Sequence, residues 1–80
     1  MNPRQPVVSG QRLIKALRKD GWEVVRQRGS HVRLKKAGHR HALVVPLHKE
    51  IRRGTLAAIL RDADLTGDDL TAVARVKAGN

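Results

Sequence analysis

The chain has 80 residues with 17 Lys and Arg against 7 Asp and Glu, a formal net charge of +10, which fits one small and strongly basic domain. It has no cysteine, which excludes disulfides and thiolate-held metal and fits a reducing compartment. No apolar run approaches the roughly 20 residues of a membrane helix, and MNPRQPVVSG lacks the apolar core of a secretory signal, so the expected location is cytoplasmic and no membrane partner is expected.

The charge is uneven. Residues 1–53 hold 14 basic and 3 acidic residues, +11, whereas 54–80 hold 3 and 4, −1. A positive field confined to two thirds of the chain points to a polyanion-binding surface. Trp22 is the sole aromatic, so single strands cannot be held by stacking on several rings; charge, hydrogen bonds and backbone shape must serve instead.

Residues 1–6, with Pro3 and Pro6 and no periodic pattern, are expected to be a flexible tail, followed by a single domain over 7–75 and a second tail over 76–80. Ser9 is a good N-cap for a helix over 10–19, with Leu13, Ile14 and Leu17 at helical spacing and Gly21 as its stop. WEVVRQR, 22–28, favours a strand, with Trp22 and Val24 expected inward and Glu23, Val25 and Gln27 outward. Gly29-Ser30 is a turn. HVRLKK, 31–36, alternates, placing Val32 and Leu34 on one face and His31, Arg33 and Lys35 on the other. Gly38 lies in the next turn, and RHALVV, 40–45, is the third strand, ended by Pro46. Leu56, Ile59, Leu60 and Ala63 mark a helix over 53–63, and Thr66 can cap a short third helix with Asp68 and Asp69 in its first turn. The order helix, three strands, helix predicts an α+β domain: a three-stranded antiparallel meander with helices packed on its apolar face. Val25, with Val44 or Val45, is expected to leave unpartnered apolar surface on the other face.

Two segments carry a resemblance. Gly21, Trp22, Arg26, Gly29, Ser30 and His31 form a G-[FW]-x-x-x-R-x-x-G-S-H pattern; Pro46, His48, Gly54, Thr55, Leu56, Ile59 and Leu60 form P-x-H followed by G-T-L-x-x-I-L. Together they resemble the HicA family of toxin–antitoxin mRNA interferases over about residues 6–74. The resemblance implies a fold like the double-stranded-RNA-binding domain, α1-β1-β2-β3-α2, cleavage of mRNA, a HicB-like antitoxin covering the active face, and an essential histidine at His31. Two departures stand outside that motif: Arg53 where some members have Pro, and Asp64 where many have Gly.

The chemistry fits the residues. RNA carries its own nucleophile, the 2′-hydroxyl; cleavage needs a base for that proton, an acid for the leaving 5′-oxygen and positive charge around the phosphorane. Histidine titrates near neutrality and can be either proton carrier, while Arg and Lys stabilise developing charge. His31 is the candidate catalytic residue, with Gly29 and Ser30 as a supporting turn whose backbone N–H groups can approach phosphate. Arg26, Arg28, Arg33, Lys35 and Lys36 are the candidate RNA contacts, and His48 the candidate second proton carrier. On the residues alone the first reading of His31 is a turn histidine bonded to backbone, and that of His48 a loop or helix-entry residue. His39 and His41 lack a third ligand, so neither metal nor cofactor is expected. A non-catalytic RNA-binding module and a protein-association surface stay open as alternatives.

Overall fold

The computed structural model describes residues 8–66 and Asp69. Helix α1 spans Gly10–Lys19, strands β1, β2 and β3 span Glu23–Arg28, His31–Lys35 and Leu43–Pro46, and helix α2 spans Arg53–Asp62. The strands form one antiparallel sheet in the order β1-β2-β3. This is the expected α+β arrangement of the double-stranded-RNA-binding type. β3 starts at Leu43 rather than at 40, because the chain bends at Arg40 and His41 and Ala42 is not yet in the ladder. The expected tails and the body of the third helix lie outside the described residues. Among the described residues, Asp69 N–H donates to Thr66 Oγ1 at 3.0 Å and Thr66 N–H donates to Asp69 Oδ2 at 2.9 Å, the reciprocal bonds of a capping box.

Both helices lie on one sheet face and close one core. Leu13 and Leu17 of α1, Leu56, Ile59 and Leu60 of α2, Val32 and Leu34 of β2, and Leu43 and Val45 of β3 are buried together around Trp22 and Ile51. The Ser9 hydroxyl accepts from Arg12 N–H at 3.1 Å and caps α1. Each helix ends in a Schellman turn. In the first, Trp22 N–H bonds Leu17 O at 3.0 Å and Gly21 N–H bonds Arg18 O at 3.1 Å; in the second, Leu65 N–H bonds Leu60 O at 2.8 Å and Asp64 N–H bonds Arg61 O at 3.1 Å. The left-handed residues these turns require are Gly21 at φ +104° and Asp64 at φ +60°.

His39 ties the β2–β3 turn to the end of α2. Its Nε2 lies 2.8 Å from the Asp62 carbonyl oxygen, which can only accept, so Nε2 carries a proton. Its ring meets Trp22 edge-on, 4.8 Å between centroids. His39 is thus a structural residue, and His41 is exposed.

The first strand corrects the expected facing. Every residue of β1 is exposed, and the ladder shifts between Val24 and Arg26: Glu23 pairs Lys35 and Val24 pairs Leu34, then Arg26 pairs Arg33, Gln27 pairs Val32 and Arg28 pairs His31. Val25 is therefore the extra residue of a β-bulge. Directly opposed residues share a face, so beyond the bulge Gln27 joins Val32 on the helix side, and Arg26 and Arg28 turn to the outer side. Trp22 is buried as expected, but Val24 stays 44% exposed because β1 lies at the sheet edge.

Candidate active site on the outer face of the sheet

The sheet register lays the outer face out as rows. Arg28 and His31 share a row ending at Pro46; Arg26, Arg33 and Val44 share the next; Glu23 and Lys35 share a third. Cross-strand neighbours stand about 5 Å apart and residues i and i+2 about 7 Å apart, so three guanidinium groups surround His31 within the reach of their own side chains. Arg26, Arg28, His31, Arg33 and Val44 line a shallow hollow of about 170 Å³. No carboxylate lines it, so its field is uniformly positive and suits an anion.

The turn that presents His31 is held from two sides. Gly29, at φ +58°, occupies the first central position between Arg28 and His31, where a type II′ hairpin needs positive φ. Gln27 Nε2 donates to the Gly29 carbonyl at 3.1 Å. Leu47 N–H donates to the Ser30 carbonyl at 2.7 Å, and Gly10 N–H to the His48 carbonyl at 2.9 Å. The start of α1 therefore buttresses residues 46–48, which in turn brace Ser30. Gly10 permits this approach: a Cβ there would run into the Pro46 carbonyl oxygen, with Leu47 Cα at 2.9 Å.

The sequence candidates separate. Arg26, Arg28, His31 and Arg33 come together. Lys35 shares their face one row away, opposite Glu23. Lys36 does not join them: its Nζ lies 3.1 Å from Asp20 Oδ2 in a partly buried ion pair across the Gly21 turn. His48 is exposed, two residues beyond Pro46, and is not among the residues lining the hollow. Val44, Gln27 and Gly10 were not read from sequence as site residues. Among the described residues no group of three His, Cys, Asp or Glu side chains could hold a metal ion, and no helix is long and apolar enough to cross a membrane.

A small basic domain of the double-stranded-RNA-binding type, with one histidine among arginines on its open sheet face, is the class that fold and surface define. Residues 10–65 match the family described as the HicA toxin of bacterial toxin–antitoxin systems. A solved chain from a toxin–antitoxin complex of Streptococcus pneumoniae aligns at a TM-score of 0.63 and 30% identity, over 72% of this chain and 98% of that one. A comparison with curated protein sequences finds no match. The chain belongs to the HicA toxin family, and its role is that of a toxin-antitoxin toxin.

Proposed function

We propose that this toxin is an endoribonuclease that cleaves mRNA at the hollow around His31, without a metal ion. The observation that carries this reading is the convergence of His31 with Arg26, Arg28 and Arg33 on one carboxylate-free hollow. The arginines bind the scissile phosphate and offset the charge that grows on it as the 2′-oxygen attacks and the P–O5′ bond breaks. His31 takes the 2′-hydroxyl proton or delivers one to the departing 5′-oxygen. His48, one residue past the Leu47 brace, is the proposed partner for the other proton. Lys35 extends the track along which RNA backbone runs, and Lys36 is given a structural role instead. A HicB-like antitoxin covers this face.

The test is cleavage of RNA by purified protein in EDTA. Wild type should yield fragments, and a folded His31→Ala protein should cleave about 10²–10⁴-fold more slowly. Cleavage undiminished in that variant removes His31 from the mechanism. A salt-sensitive gel shift with intact RNA from the wild type replaces the nuclease with a binding module.

A further inference from the structure

A second recess borders the hollow and shares one residue with it. The groove, of about 480 Å³, runs between β3 and α2 and is lined by Leu43, Val44, Gly54, Thr55, Ala58 and Asp62 among others. Its helix side is low because Gly54 and Ala58 stand four residues apart on α2, and a Cβ on Gly54 would meet nothing within 4 Å.

β3 is also a sheet edge, bonded to β2 on one side only. The register says which groups are left. Leu47 N–H bonds Ser30 O, and pairs alternate along an antiparallel ladder, so Val45 and Leu43 bond to β2. The N–H and C=O of Val44 therefore point out of the edge. Pro46 has the same phase, which is why a residue without N–H is accepted there. A strand laid along this edge would bond Val44 directly. Its residue opposite Val44 would join the row of Val44, Arg33 and Arg26 on the outer face, and its flanking residues would point down into the groove.

That placement sets the chemistry of the occupant. We infer that the β3 edge and the β3–α2 groove take an added strand from an acidic protein partner, alternating carboxylate side chains over the arginines with small apolar side chains against Gly54 and Ala58. Charge selects it: a carboxylate beside Val44 reaches toward Arg33 and Arg26, whereas a second copy of this +10 chain would bring like charge to the same row. The inference rests on the toxin being held by a protein antitoxin and names the surface used. An edge strand gives main-chain bonds without sequence demand, and alternate side chains give the selectivity.

The experiment uses the full chain and a synthetic peptide of about nine residues, long enough to follow β3, alternating Glu with Val or Thr; its counterpart carries Lys for Glu. The Glu peptide should bind, slow amide exchange at Val44, and discriminate against the Lys peptide. Val44→Pro removes the outward N–H in a phase where Pro46 is already accepted and should weaken binding about tenfold, one hydrogen bond's worth. Ala58→Gln keeps a good helix former, fills the groove without charge, and should weaken binding several-fold while RNA cleavage is unchanged. Binding with Val44 exchange unaltered, equal binding of the Lys peptide, no binding at all, or a concentration-dependent dimer lost in Val44→Pro would each overturn the inference. RNA cleavage measured in parallel separates the two claims: cleavage without strand binding removes the edge proposal alone, and strand binding without cleavage removes the nuclease alone.

Discussion

Arg33 and Lys36 lie three residues apart and carry the same charge, yet they stand in different places. Arg33 is exposed in the hollow beside His31, with nothing opposing its charge there. Lys36 is half-buried against Asp20. Removing either lowers the net charge by one, so the pair isolates position from charge. Arg33→Ala should reduce single-turnover RNA cleavage about 10²-fold or more, as loss of a donor aimed at developing charge does, and Arg33→Lys should fall between, since a point charge cannot make the forked contact. Thermal stability should change by no more than about 0.5 kcal/mol at this exposed position. Lys36→Ala should reverse the pattern: cleavage close to wild type, with about 0.5 kcal/mol lost in urea unfolding as a partly exposed ion pair goes. Gly10 acts on the same histidine through backbone. Alanine favours a helix over glycine by about 1 kcal/mol, but the Pro46 carbonyl and Leu47 Cα occupy the space a methyl needs. Overpacking against backbone costs about 1–3 kcal/mol, so Gly10→Ala should lower the urea midpoint despite its better propensity, and cleavage should fall with it because the 46–48 segment braces Ser30.

The elements are held by their ends, and both departures from the family pattern fall at the ends of α2. Arg52 is its N-cap and makes no side-chain capping bond, with φ −62° and ψ 147°. That extended backbone suits a residue before proline, and the first helical position, Arg53, tolerates loss of its N–H. Asp64 pays the left-handed cost at the other end, at φ +60°. Arg53→Pro and Asp64→Gly should each stabilise by about 0.5–1 kcal/mol, which raises Tm by roughly 2–8 °C in a domain of this size; calorimetry of the two variants and of the double variant checks this, and the effects should add because the sites are at opposite ends of the helix. Helix α1, its Schellman stop and the β2 alternation were legible in the sequence because each depends on local chemistry: Ser9, Gly21, and the period-2 run from His31 to Lys35. The bulge was not, although its signature was present. Counting inward from Trp22 puts even-numbered residues of β1 on the core side. Counting back from an outward His31 through its partner Arg28 puts even-numbered residues on the outer side. The two counts conflict, so one extra residue must lie between them. Alternation read from one end of a strand cannot reveal it; pairing from both ends can. Deleting Val25 should therefore leave a regular ladder with Arg26 and Arg28 still facing His31, retaining cleavage and the sheet signature in circular dichroism. Deleting Gln27, which removes a residue between the two arginines, should abolish cleavage.

At the scale of the whole molecule the positive field and the helices divide the work. The helices and the inner sheet face form the core, and the charge excess of residues 1–53 is carried past the end of that core onto the outer face, where β1 and β2 contribute Arg26, Arg28, Arg33 and Lys35. Polar binding of this kind is driven by release of counterions, so its strength depends on how many phosphates are neutralised together. Arg26, Arg28 and Arg33 line a single hollow of about 170 Å³, and under the proposed function they would meet one phosphate rather than three. That geometry makes a quantitative distinction. If the three arginines met three separate phosphates, the triple glutamine variant would lower the magnitude of the log–log salt slope by about 2, at about 0.7 for each single-strand contact. Convergence on one phosphate predicts a reduction of about 0.7 for the same triple variant, most of it appearing only when the last of the three arginines is replaced. Arg12, Lys15 and Arg18, exposed on α1 and away from the hollow, serve as the comparison: replaced singly, any that tracks the RNA backbone should change the slope independently of the others. Filter binding of the His31→Ala protein to an uncleaved oligonucleotide at several salt concentrations, with and without the arginine substitutions, reads both slopes directly. A reduction near 2 for the triple variant would mean that the arginines spread along the strand rather than clasp the scissile phosphate, and the charge stabilisation assigned to them would have to come from elsewhere.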